Sequence, residues 1–178
     1  CGEQIHTTSV TAAAALTRCM GREMGHPLTR GRSVRAVSRD MKSAYKQLSL
    51  HPSQTHLSVI AVWDIENRCW KLALPWALPF GLSGAVLHFN RVPSFICAVA
   101  RRWLGMIAHH FFDDFRIMEC RDSDVSSTRW FDKLCHLIGW KFDPEKNQDS
   151  APAIEMLGNT EAWALVASDK YLVSALQD

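Results

Sequence analysis

The sequence predicts an α+β fold, an antiparallel sheet with helices packed on one face, and three observations predict it. Residues 83–104 and 126–139 carry apolar side chains at helical spacing. Residues 59–74 and 106–119 each read as a pair of short strands folded about a turn. The elements follow one another as β, α, β, β, α, β, β, α, β, an order that suggests an antiparallel sheet layered against helices.

Residues 1–31 show little periodicity, several glycines and scattered arginines, so they read as loops with one short helix over 12–20. Residues 33–38 form a strand that runs into Asp40. Residues 43–48 make a short helical turn, ended by His51 and Pro52. Residues 59–63 and 69–74 are rich in β-branched and aromatic side chains, and 64–67 supply the turn of a hairpin. Pro75, Pro79 and Gly81 precede the helical run 83–104. There Val86, Phe89, Phe95, Val99 and Trp103 share a buried side, and Pro93 kinks the helix or opens a second one. Residues 106–119 are two short strands with Asp113 and Asp114 together at the tip. Trp130, Phe131, Leu134, Cys135, Leu137 and Ile138 mark an amphipathic helix closed by Gly139. A strand over 140–142, a turn over 143–147 and a strand over 154–157 complete a body with no internal repeat or linker.

The composition is that of one ordinary folded domain: 178 residues, 47% hydrophobic, 21% charged, nothing of low complexity. That excludes a disordered tail, a collagen-like rod and a coiled coil. A net charge of +2 hides an asymmetry, because residues 1–110 hold 13 Lys and Arg against 5 Asp and Glu, whereas 111–178 hold 7 against 13. The first stretch is suited to face anions. Six scattered cysteines without a CxxC pair read as reduced, mostly buried thiols. The eight histidines form no HExxH pattern, and adjacent His109 and His110 would point to opposite faces of a strand, so zinc is not expected. Residues 12–16 lack the flanks of an export signal, and 85–100 are too interrupted by polar residues to span a membrane. The expectation is a soluble intracellular protein, cytoplasmic or nuclear and not secreted. A chain that begins at Cys1 suggests a piece of something longer.

An adjacent Asp pair carries little by itself, since a chain with 11 Asp would show about 0.6 such pairs by chance. Its setting raises the signal: Phe111 and Phe112 lead in, Phe115, Arg116 and Ile117 lead out, and Asp40 ends another strand of the same sheet. Three carboxylates at one sheet edge repel each other unless cations neutralise them, and hard oxygen donors suit Mg²⁺ or Mn²⁺. Two such ions about 4 Å apart serve in-line displacement at phosphorus. The pattern therefore points to nucleotidyl transfer.

Five segments then resemble, in order, the polymerase motifs of reverse transcriptases. DMKSAYKQL, residues 40–48, resembles the first; LPFGL, residues 78–82, with Ala85 and Phe89, the second; FFDD, residues 111–114, the third. Gly139 with Lys146 looks like the fourth, and Met156, Leu157 and Gly158 like the fifth, the primer grip. The resemblance is to the palm and part of the fingers of long-terminal-repeat or tyrosine-recombinase retrotransposon enzymes. Residues 1–31 would be partial fingers, 32–160 the palm motifs and 161–178 a remnant, with no thumb, in a single partial domain.

That resemblance implies that Asp40 and Asp113 bind two Mg²⁺ ions, with Mn²⁺ as a substitute, the Met41 carbonyl as an extra ligand and Asp114 in support. Tyr45 would lie beneath the sugar of an incoming deoxynucleoside triphosphate and leave no room for a 2′-hydroxyl. Phe80 and Gly81 would touch nucleotide and template, Phe112 would pack near the primer terminus, and Lys146 would serve the departing pyrophosphate. Arg30, Arg32, Arg35, Arg39, Arg91, Arg101 and Arg102 are the candidates for phosphates of an RNA or DNA template and its primer. Phe111 stands where relatives have tyrosine, and Val86 where many have proline. Two other readings are an inactive retroelement remnant that binds nucleic acid weakly, and a nucleotide cyclase, which leaves LPFGL and Tyr45 without a task.

Overall fold

A computed structural model of the chain describes residues 10–23, 34–82, 84–121 and 126–162. In chain order these form α1 (Val10–Glu23), β1 (Val34–Asp40), two 3₁₀ turns (Ala44–Gln47 and Pro52–Ser58), β2 (Ile60–Asp64), β3 (Cys69–Ala73) and α2 (Ala85–Trp103). There follow β4 (Ile107–Phe111), β5 (Asp114–Cys120), α3 (Ser126–Leu137), β6 (Gln148–Ala151), β7 (Ile154–Met156) and β8 (Asn159–Glu161). The expected irregularity over 24–31, the arginines Arg30 and Arg32, and the C-terminal remnant from 163 on lie outside the described residues.

The central sheet runs β4-β5-β1-β6 and is antiparallel throughout. Its two middle strands are buried along almost their whole length, so both faces must be covered. Val37, Phe115, Ile117 and Ala108 point to one face and pack with Phe89, Ile96, Cys97 and Ala100 of α2 and Phe131 and Cys135 of α3. Val34, Ala36 and Met118 point the other way and meet Ala13 of α1 and Ile154 of β7. The fold is α+β as expected, but helices lie on both faces rather than one. The period-two alternation of β1 explains why, since its even-numbered Val34 and Ala36 are as apolar as Val37.

Three other expectations are corrected. Pro93 does not open a second helix, since α2 runs through it from Ala85 to Trp103. It lies on the buried stripe with Phe89, Ile96, Cys97 and Ala100, whereas Phe95 and Trp103, expected on that side, are exposed; the packing of the stripe offsets a backbone cost of about 3 kcal/mol. Residues 140–142 are not a strand: α3 closes in a Schellman motif, Gly139 N to His136 O and Trp140 N to Cys135 O, and only a single bridge joins Phe142 to Met41. The strand beside β1 is instead β6, whose Gln-Asp-Ser-Ala sequence has no apolar alternation to announce it. Of the five described cysteines, only Cys97 and Cys135 are buried. Among the described residues no helix is long and apolar enough to cross a membrane.

Phe115 lies at the centre of the larger core, with ring centroids 5.2 Å from Phe131 and 6.0 Å from Phe142. Phe115→Ala is therefore expected to lower the unfolding free energy by about 3–5 kcal/mol in urea titration. Phe95→Ala, at a side chain that is 58% exposed, should stay within about 0.5 kcal/mol of the parent. Equal losses for the two would contradict this account of the core.

Candidate active site

The acidic edge is a product of strand register. β1 and β5 pair residue for residue from Val34 opposite Cys120 to Asp40 opposite Asp114, so two carboxylates end neighbouring strands. β4 ends at Phe111, also opposite Asp114, which leaves Phe112 and Asp113 as the turn. Asp114 is thus the first residue of β5 rather than part of the tip, and Phe112 takes a left-handed φ of 52° to close the turn. The Met41 amide donates to the Asp113 carbonyl at 3.1 Å, which locks the end of β1 to that turn.

A second loop closes on Asp40 from the other side. Its carbonyl accepts from the Asp143 amide at 2.9 Å, and Lys146 Nζ lies 2.8 Å from its Oδ2. The lysine pKa is raised by this hydrogen bond and by the Asp40 charge. Asp40, Asp114 and Lys146 line one cleft of about 510 Å³ together with Ser38, Asn147, Gln148, Glu145 and Glu155. The fourth side is the β7–β8 turn, so Met156, Leu157 and Gly158 share this cleft with the carboxylates. Leu157 and Gly158 have φ values of 53° and 78°, the pair of left-handed residues that a tight hairpin turn demands.

On the other side of Asp113 lies an aromatic cluster. Tyr45, on the 3₁₀ turn after β1, stacks on Phe89 of α2 with centroids 4.4 Å apart and meets Phe80 edge-on at 5.3 Å. Burial raises the Tyr45 pKa, and the Asp113 charge adds to it, so the phenol lies within the field of the acidic turn. Phe80 is largely exposed. Gly81 is required by its φ of 98° rather than by crowding, because an added Cβ would meet nothing within 4 Å.

Burial, and then the repulsion of Asp113 and Asp40, push the Asp114 carboxyl up to about 6. Asp113 is raised as well, chiefly by burial. Lys146 opposes both shifts without cancelling them. The donor set, hard oxygens under mutual repulsion, fits a divalent cation of the Mg²⁺ class. Among the described residues no group of three or more His, Cys, Asp or Glu is arranged to hold a metal ion. The Met41 carbonyl already accepts from the Ala44 amide at 3.3 Å and has one lone pair left for a ligand role.

The arginines divide sharply. Arg39 is buried, with Nε and Nη2 on the two oxygens of Asp132 and Nη1 on backbone carbonyls, so it ties β1 to α3 and cannot serve an external phosphate. Arg35 donates to the Ser150 carbonyl, and the Nε of Arg101 to the Cys97 carbonyl. Arg91, Arg101 and Arg102 are exposed. The sequence reading missed Asn147, Glu145 and Glu155 in the cleft, and the buried Arg116 beneath it. Strand alternation from Asp114 was the signal for Arg116, which lies two residues on and on the same face. No protein-family model matches the chain, and no curated protein matches it.

His109 and His110 are both buried, one on each face of β4, and desolvation lowers each pKa to about 4. Between pH 6.5 and 4 the unfolded chain binds protons that the folded histidines refuse, so acidification destabilises the fold by on the order of 3 kcal/mol per histidine. Asp113 and Asp114 act in the opposite sense, because their raised folded pKa values favour the folded state as pH falls toward 4. Urea midpoints in metal-free buffer are expected to drop from pH 7 to pH 4.5, less steeply in His109→Gln. A midpoint that does not fall would refute the desolvation of the pair.

Proposed function

We propose that the chain is the core of an RNA-directed DNA polymerase, a reverse transcriptase of retrotransposon type, that adds deoxynucleotides to a primer 3′-hydroxyl. One observation carries the reading: segments at 40–45, 80–89, 113–114 and 156–158, far apart in sequence, meet around one sheet edge. Their contacts join the acidic turn to an aromatic wall on one side and to a glycine hairpin turn on the other. A bare acidic edge would need neither.

In this reading Asp40, Asp113 and Asp114 would hold two Mg²⁺ ions, or Mn²⁺ in their place. Ions held there would supply charge neutralisation for the carboxylates and Lewis acidity toward a primer hydroxyl and a pyrophosphate. The protein's own groups position the reactants. Tyr45, fixed between Phe80 and Phe89, presents a ring where a 2′-hydroxyl would project and so favours deoxynucleotides. Phe80 and Gly81 flank the nucleotide and template. Phe112 and the Met156–Gly158 turn receive the primer end. Lys146, whose Nζ lies beside Asp40, would put its charge next to the leaving group. Exposed Arg91 and Arg102 would meet template or primer phosphates, which gives salt-sensitive binding with little sequence preference. Work on such substrates belongs inside the cell, in cytoplasm or nucleus.

Primer extension on poly(rA)/oligo(dT) with Mg²⁺ or Mn²⁺ is the direct test. Incorporation of dTTP is expected, and Asp113→Asn should reduce it by on the order of 10²–10³-fold. The absence of extension by the folded parent with either metal would sink the proposal. Tyr45→Ala should raise ribonucleotide incorporation relative to deoxynucleotide by about 10- to 100-fold. An unchanged sugar preference in that variant would remove the steric role of the ring.

A further inference from the structure

One buried ion pair beneath the cleft has no part in the scheme above. Arg116 lies on β5 opposite Ser38 of β1 and His109 of β4, and it is 2% exposed. Its Nη2 donates to Oε1 of Glu161, the last residue of β8, and both side chains are largely withdrawn from water. Glu161 in turn pairs with Ile154 across the hairpin, while Asn159 pairs with Met156 at the end next to the turn. Leu157 and Gly158 between them form the wall of the cleft that faces Asp40 and Asp114.

The β7–β8 hairpin is therefore held to the sheet in two chemically different ways. On β7, Ile154 is buried in the smaller core, and Gln148 exchanges two hydrogen bonds with the Glu155 backbone. On β8, the tie is the charged Arg116–Glu161 pair. A two-stranded hairpin is marginal unless it is anchored. Apolar contacts are non-directional and let such a ribbon rock, whereas a guanidinium–carboxylate hydrogen bond fixes angle as well as distance. A buried pair adds little net stability over apolar side chains of similar volume, so its contribution here is geometric.

We propose that Arg116 and Glu161 are positioning residues whose ion pair sets the Leu157–Gly158 turn at a fixed height over the Asp40–Asp114 edge. The inference rests on the polymerase reading in one respect: the strand end placed by that turn is the primer. The clamp itself is a property of the fold.

The test compares the parent with Glu161→Gln and with the apolar replacement Arg116→Met/Glu161→Leu, which removes the buried charge and so guards against a variant that fails to fold. Both variants are expected to exchange the backbone amides of residues 156–159 about tenfold faster by mass spectrometry. In primer extension both should raise the KM for oligo(dT) on poly(rA) about tenfold while kcat stays within about twofold. Arg116→Lys, which keeps the charge, should stay near the parent. Parent-like exchange and KM in the apolar double variant would reduce the pair to packing and overturn the proposal, as would unchanged exchange in folded Glu161→Gln. If the parent extends no primer, the polymerase reading fails while the exchange rates still decide the clamp.

Discussion

The pairing of β1 with β5, seven residues opposite seven, decides which side chains meet at the edge of the sheet and which are spent in its core. A slip of one residue in β1 would turn Asp40 to the face covered by α2 and α3 and bring Val37 and Arg39 to the opposite side, because side chains alternate along a strand. The register is held from both ends. At one end Val34, Ala36 and Met118 pack under α1, and at the other the Met41 amide is bonded to the Asp113 carbonyl. Between them Val37 and Ile117 sit opposite each other in the larger core. The acidic edge is consequently no more adjustable than the core, which is the condition for holding like charges close together.

The cost of this arrangement is visible in the titration of its members. Asp113 and Asp114 are held above the usual carboxylate range, and the histidines behind them are held well below theirs. Both effects begin with desolvation, because a sheet covered on two faces leaves its strand ends little water. Arg116 and Lys146 supply positive charge from below and from the side. The opposed shifts mean that the local electrostatics is not relaxed around the carboxylates alone.

Much of the fold was legible because apolar periodicity wrote it. The hairpin of β4 and β5 and the helices α2 and α3 follow from spacing alone, as does the end of α3 at Gly139. The helix expected over 12–20 is α1, but its docking, through Ala13 and Ala14 against Val34 and Ala36, had no periodic signal, and neither did β6, which is polar because it lies at the sheet edge. At the site, Asp40, Tyr45 and the Asp113–Asp114 pair were readable as residue types in an ordered pattern. That Asp114 rather than Asp113 lines the cleft depends on a turn of two residues, and the sequence Phe-Phe-Asp-Asp does not say where the strand resumes. Arg39 stood in a basic stretch and was read as facing phosphate. Its position on the odd-numbered face of β1, opposite Phe115, commits it to Asp132 instead.

The competing explanations for an acidic edge differ in what they leave unexplained. A nucleotide cyclase would use the carboxylates but has no task for a tyrosine fixed between two phenylalanines and within reach of the Asp113 charge. An inert remnant has no task for the carboxylates either. Without a cation their raised pKa values are a standing cost to the folded state at neutral pH, one that asparagine in the same turn would avoid. Strain of this kind is the expected signature of a group held ready for chemistry, where local consistency is given up for function. The polymerase reading gives each of these features its own task. In that reading the carboxylates would hold ions, the tyrosine would screen the sugar, and the hairpin turn at Leu157 and Gly158, which lines the cleft, would lie on the side where a primer end enters.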